Sequence, residues 1–131
     1  MRNIISVKIA INGLLILFSA MIVFHLLIIT SIIPYQIVWG GRLHSHAAML
    51  QFESISIGIN ALMLILVSIK AKWRYVHIPK KTEKIAFWLM FGLFALNTLG
   101  NLFAISAFEK IVFTPITFIL AVLCLRIAIE K

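Results

Sequence analysis

The sequence predicts an all-α fold, an antiparallel four-helix transmembrane bundle forming one integral membrane domain over residues 1–131, with both termini cytoplasmic. Three observations carry that prediction. First, 63% of the 131 residues are hydrophobic, against roughly 45–50% in a soluble domain. Second, only 12% are charged, about half the density that covers a soluble surface. Third, the apolar residues gather in four continuous runs separated by basic or glycine-containing connections. A mean hydropathy of +1.10 excludes a disordered chain, which is poor in aliphatic residues. Continuous apolar runs also exclude a transmembrane barrel, whose strands alternate.

The first run covers residues 7–33 and opens with Arg2 and Lys8, as a signal peptide does. It continues far past a signal peptide's apolar stretch, and cleavage after Ala20 would put bulky Phe18 where a small residue belongs. A retained helix is therefore expected, ended by Pro34, because the residue before proline is biased out of the helical region. The connection that follows holds Tyr35, Trp39, Gly40, Gly41, Arg42, His44 and His46. Its aromatic residues suit the headgroup layer, and its paired glycines permit a tight turn. The second run covers residues 47–69. The third covers residues 85–104, after a loop carrying Lys70, Lys72, Arg74, Lys80, Lys81 and Lys84. The fourth covers residues 115–129, with Thr114 and Pro115 reading as N-cap and first helical residue. Fifteen residues span only about 22 Å, so residues 107–113 must also lie in the membrane, or the bilayer must thin.

Net charge is +8, from 12 basic and 4 acidic residues. In a soluble chain that would suggest nucleic acid. Here the charges lie between apolar runs, so the expected partners are the bilayer and anionic headgroups at the Lys70–Lys84 loop, and no nucleic acid. Arg42 and Lys110 are the only basic residues on one side, while the other ten lie on the opposite side. The positive-inside rule makes the richer side cytoplasmic, which fits a multi-pass protein of a bacterial inner membrane. Cys124 is the only cysteine, so no intrachain disulfide can form and thiol–disulfide chemistry is excluded.

Polar residues crowd the opposite, outer half. His25 falls in the outer third of the first helix, Gln51 and Glu53 in the first turns of the second, and Asn97 and Asn101 in the outer half of the third. Glu53, Ser56 and Asn60 share one helical stripe, and Asn97 and Asn101 another. An ionised carboxylate facing lipid is costly, so these stripes should face each other around a polar cavity open to the outside. The expected ligand-binding set is Arg42, Glu53, Asn60, Asn97, Asn101 and Glu109. Glu53 would act as charge partner, Arg42 as anion or headgroup contact, the asparagines as hydrogen-bonding lining and Glu109 as the rim.

Several blander readings compete. Asparagine and serine between membrane helices act as packing glue, Glu53 could pin Arg42, and His25 could be a hydrogen-bonded core residue. His44 and His46 could ligate a metal with His25, Glu53 or Glu109; no cofactor is otherwise expected. Ser54 and Gly58 form a small-xxx-small pair suited to close helix packing, and Arg126 with Glu130 reads as a solvated i, i+4 pair. The segments Trp39 to Leu43, Asn97 to Ala104 and Phe108 to Lys110 resemble a group of short bacterial four-helix membrane proteins. The resemblance implies the fold and carries no activity. Small multidrug transporters carry a deep acid in their first helix, and this first helix has none.

The function expected is binding, with transport as an extension, of a small polar or amphipathic ligand in the outer-leaflet cavity. The alternatives are a membrane enzyme or metal-binding protein using Glu53 with His44 and His46, and an accessory subunit of a larger membrane complex. A transporter of this length would work as a homo-oligomer.

Overall fold

The computed structural model describes residues 3–37, 45–71, 77–104 and 107–130. Four α-helices account for most of them: α1 (Val7–Ile29), α2 (His46–Lys70), α3 (Lys80–Leu102) and α4 (Thr114–Ala128). No strand occurs among the described residues. All four helical segments are long and apolar enough to cross a bilayer, which is the build of a multi-pass membrane protein.

Local chemistry sets the helix ends. Ser6 and Ser45 each cap a helix, accepting 3.1 Å hydrogen bonds from the backbone N–H of Ile9 and Ala48. α1 ends at Ile29, four residues short of the expected Ile33, so Pro34 does not stop it. The terminator is local. The Thr30 hydroxyl donates back to the Leu26 carbonyl at 2.8 Å, Ser31 turns left-handed at φ 65°, and the N–H groups of Ile32 and Ile33 close on the Leu27 carbonyl. α3 starts at Lys80, five residues before the expected start at Ile85, directly after Pro79.

The fourth span is extended as its length requires. α4 begins at Thr114 with Pro115 in its first turn, but Thr114 does not cap it from outside: a π-helical turn, Glu109–Phe113, leads into it. Together they make a 20-residue span, Glu109–Ala128, or about 30 Å, which matches the hydrocarbon thickness. The physical reason is Pro115. A proline inside a helix lacks an N–H and crowds the carbonyl four residues back. A wider turn just before it relieves that crowding, and the Thr114 N–H donates to Glu109 O five residues back.

Contacts between helix ends fix an up-and-down topology. Residues late in α1 meet residues early in α2 (His25 with Glu53). Lys70 at the end of α2 meets Glu83 at the start of α3 at 2.7 Å. Thr98, late in α3, meets Thr117, early in α4. Arg126, late in α4, returns to the Ile5 carbonyl ahead of α1. One end of the bundle thus holds the chain ends and the α2–α3 connection, here called the terminal end. The other holds the α1–α2 and α3–α4 connections.

The helices form an arc in the order α2, α1, α4, α3. Neighbours in that order pack closely, whereas the α2 and α3 backbones keep apart. Toward the terminal end the space between them is filled. Leu14, Phe18, Met63, Val67, Phe87, Met90, Phe94, Leu120 and Cys124 make one apolar core across all four helices. Gly13 lets α1 and α4 approach so closely that a Cβ there would sit 2.8 Å from Leu123 Cδ1. Arg126 is buried within this end, its Nε donating to Ile5 O and its guanidinium reaching Glu130, both at 2.6 Å. The expectation of a solvated pair is corrected for Arg126, which is 5% exposed. Ile16, Leu62, Leu89, Leu96, Ile111 and Phe118 point outward, as side chains facing acyl chains would.

Candidate functional site

Toward the connection end the arc opens, and a cavity of about 490 Å³ lies between the helices. That volume falls in the range of small-molecule sites, roughly 300–1,000 Å³. All four spans reach its wall.

α1 contributes His25. The buried positions Ala10, Leu14 and Phe18 recur every four residues, and Met21 and His25, on the cavity side, continue the stripe to buried Ile28 at steps of three or four. α2 contributes Glu53, Ser56 and Asn60, all buried. The spacing i, i+3, i+7 brings them to one face, as the sequence predicts. His25 Nδ1 and Glu53 Oε2 lie 2.5 Å apart. One proton therefore lies between them, and Nε2 is the remaining ring nitrogen. Glu53 is completely buried, seven residues into α2 and so about 10 Å below that helix's start. Asn60 sits two turns deeper, its Nδ2 donating to Ser56 O at 2.8 Å.

α3 brings Asn97, Gly100 and Asn101 to the opposite wall. Asn101 Nδ2 donates to Thr117 Oγ1 at 3.3 Å, and Thr98 Oγ1 donates to the same oxygen at 3.0 Å. Thr117 in turn donates to Phe113 O at 2.8 Å. This cluster holds the α3 wall to α4 with polar bonds where the apolar core no longer does so. Glu109, in the π-helical turn, is buried and lines the same cavity. The floor and back are apolar, built by Met21, Phe24, Met63, Phe94, Phe113 and Leu120. Phe24 packs edge-on against Phe113, ring centroids 4.9 Å apart.

Five of the six residues singled out as ligand-binding, Glu53, Asn60, Asn97, Asn101 and Glu109, surround this one cavity. The sixth, Arg42, lies outside the described residues, as does His44. His46 is exposed at the first position of α2. Among the described residues no three His, Cys, Asp or Glu side chains cluster as metal ligands do. Gln51 faces outward. Ser54 and Gly58 lie on an exposed face; the Ser54 hydroxyl bonds back to Leu50 O at 2.6 Å, and nothing approaches within 4 Å of a Cβ placed on Gly58.

Two further residues outside the expected ligand-binding set reach the cavity. His25, expected in the outer third of α1 and read as either a hydrogen-bonded core residue or a metal ligand, is hydrogen-bonded to Glu53 and also lines the cavity. Its place on the stripe of Leu14, Phe18 and Ile28 is the signal that marks it. Thr117 falls on the corresponding stripe of α4, with Phe113, Leu120 and Cys124. No protein-family model, curated protein or solved structure matches this chain.

Proposed function

We propose that this protein binds a small amphipathic ligand in the cavity between α2 and α3, at the outer-leaflet end of a bundle in a bacterial inner membrane. The observation that carries the reading is the convergence of polar side chains from all four spans on one cavity. Polar groups inside a membrane are costly unless they serve packing or a ligand. The bonds among Thr98, Asn101 and Thr117 serve packing. Glu53, Asn60, Asn97 and Glu109 border open volume, which glue between helices does not require. The apolar core below the cavity blocks a straight path across the bilayer, so transport would need a rearrangement of the bundle or assembly of several copies.

The test is native mass spectrometry of the detergent-solubilised protein with three ten-carbon probes: decylammonium, decanol and decanoate. One-to-one binding of at least one probe is expected in the wild type. Gly100 lines the cavity, and no atom lies within 4 Å of a Cβ placed there, so Gly100→Phe can fill the mouth without a backbone clash. Loss of binding in Gly100→Phe, with retention in the outward-facing Gly58→Ala, supports the reading. Absence of all binding, or binding unaffected by Gly100→Phe, refutes it.

A second reading, a membrane enzyme, rests on the His25–Glu53 pair, because an imidazole beside a carboxylate is a serviceable proton carrier. Turnover of a bound ester or amide amphiphile, abolished by His25→Leu, would favour it.

A further inference from the structure

We infer that two copies of this protein pair back to back in the membrane through the outward face of α1, with the Asn12 side chains hydrogen-bonded to each other across a two-fold axis. This pairing goes beyond the cavity reading and does not depend on it.

The face has the regularity of a helix–helix seam. Ile9, Asn12, Ile16, Ser19, Val23 and Leu26 are all exposed. Their spacing alternates between three and four residues, the 3.5-residue period at which two parallel helices interlock their side chains. The seam runs along most of α1, opposite the buried stripe of Ala10, Leu14 and Phe18; Ile16 is turned about 200° from Leu14. It therefore lies on the convex side of the arc. α1 packs on α2 and α4, and neither helix covers these six residues.

Two polar side chains on the seam call for a polar partner. Asn12 is the sixth residue of α1, about 8 Å along a helix about 34 Å long, and so lies inside a hydrocarbon layer about 30 Å thick. Ser19 lies near the midpoint of the same helix. Neither side chain makes a hydrogen bond among the described residues. Other outward-facing polar groups are provided for: the Ser54 hydroxyl bonds back to Leu50 O, and Asn97 borders the cavity. Acyl chains offer an amide neither donor nor acceptor, and a polar group left in that medium is costly.

Symmetry identifies the partner as a second copy. A closed pair of copies inserted in one orientation has its two-fold axis along the membrane normal, so α1 runs parallel to its counterpart and each residue meets itself at equal depth. An asparagine amide is both donor and acceptor. Two Asn12 side chains facing across the axis each donate Nδ2–H to the other's Oδ1, and the Ser19 hydroxyls can pair in the same way two turns further along. One face thus supplies all that its own polar groups lack. Lys8, beside the first turn of the seam, is exposed and lies at the membrane surface, where water and ions screen it from its counterpart. In such a pair the gaps between α2 and α3 face away from each other, and neither cavity is covered.

Association in phosphatidylcholine vesicles tests this, read as energy transfer between donor- and acceptor-labelled protein while added lipid dilutes it. The label sits on Lys81→Cys in a Cys124→Ala background. Dimers are expected with Asn12 in place. Asn12→Leu should weaken association about three- to twentyfold, the range that polar contacts between membrane helices span. Asn12 faces outward in the single chain, so far-ultraviolet circular dichroism should be unchanged by that substitution. Oxidative crosslinking of single cysteines locates the interface without relying on that variant. In the Cys124→Ala background Ile16→Cys should form a disulfide-linked dimer, whereas Leu62→Cys and Leu89→Cys, outward on α2 and α3, should not. Protein that stays monomeric at every protein-to-lipid ratio overturns the pairing and leaves the seam to lipid. Dimers that Asn12→Leu does not weaken, or that crosslink through Leu62→Cys or Leu89→Cys in place of Ile16→Cys, overturn the α1 interface. Crosslinking of Ile16→Cys in cell membranes to a protein of another mass, in place of a second copy, overturns the identity of the partner.

Discussion

The His25–Glu53 pair is where the bundle has most to lose, and a double-mutant cycle measures how much. Glu53 is completely buried, and His25 reaches it across the α1–α2 contact at 2.5 Å. Replacing His25 with Leu removes the ring and leaves the carboxylate buried. Breaking a buried ion pair by removing one partner costs about 3–5 kcal/mol in a closed interior. Here the His25 side chain keeps 13% of its surface exposed, and polar contacts between membrane helices average about 0.6 kcal/mol and reach about 1.7. A loss of about 2–3 kcal/mol for His25→Leu is therefore expected, with a similar loss for Glu53→Leu. The double variant replaces both partners with apolar groups and should lose less than either single variant, about 1 kcal/mol. The two single losses would then exceed the double by about 3–5 kcal/mol. Unfolding by dodecyl sulfate titration in mixed micelles, followed by far-ultraviolet circular dichroism, gives all four free energies. Additivity within about 0.5 kcal/mol would mean that the two side chains are neighbours without energetic coupling, and the pairing argument would fail.

Three further outcomes are expected. Gly13→Val should destabilise the bundle by about 1–3 kcal/mol, because even a Cβ there meets Leu123 Cδ1 at 2.8 Å; adding Leu123→Ala should recover part of the loss, and a cost unchanged by that second substitution would place the strain elsewhere. Arg126→Met should expose the segment ahead of α1 to amide exchange, because the Nε bond to Ile5 O is lost, whereas Glu130→Ala should change little, since the Glu130 side chain is 38% exposed; similar exchange in the two variants would contradict the clamp. Lys81→Cys should label with an impermeant maleimide only in permeabilised cells and Lys110→Cys in intact cells, Cys124 being buried; the reverse pattern would invert the assigned orientation.

The four spans are legible because the apolar runs are long and the connections are charged, so length and composition decide them without reference to packing. The ends are less legible because they depend on atoms rather than on averages. Thr30 and Ser31 stop α1 by hydroxyl and left-handed backbone geometry, so the conspicuous Pro34 downstream is not needed. Pro115 reads as a helix start, since proline favours the first turn, but a π-helical turn carries it inside a longer span. The cavity's acidic and amide residues are legible from stripe and depth. The partner of Glu53 is not, because the spacing of polar residues says which face is buried and leaves open which residue of the neighbouring helix meets it. The depth of His25 is legible too, but Thr117 becomes visible only when the apolar stripe of α4 is extended through its polar members.

The placement of the four acidic residues connects fold to function. At the terminal end each is matched to a basic residue, Glu83 to Lys70 and Glu130 to Arg126, and the apolar core fills the space between the helices. These bonds tie α2 to α3, and the end of α4 to the chain before α1, so that end resists separation. At the connection end no such tie spans α2 and α3 among the described residues, and their backbones keep apart. Glu53 there is tied to His25 of α1, and Glu53 and Glu109 both line the cavity. A bundle closed at one end and splayed at the other can vary the width of its opening while its base stays fixed, as a hinge does. Crosslinking Ile59→Cys to Leu93→Cys across the gap, in a Cys124→Ala background, should therefore abolish binding of the ten-carbon probes without lowering stability against dodecyl sulfate. Retained binding in the crosslinked protein would show that the opening need not widen to admit a ligand.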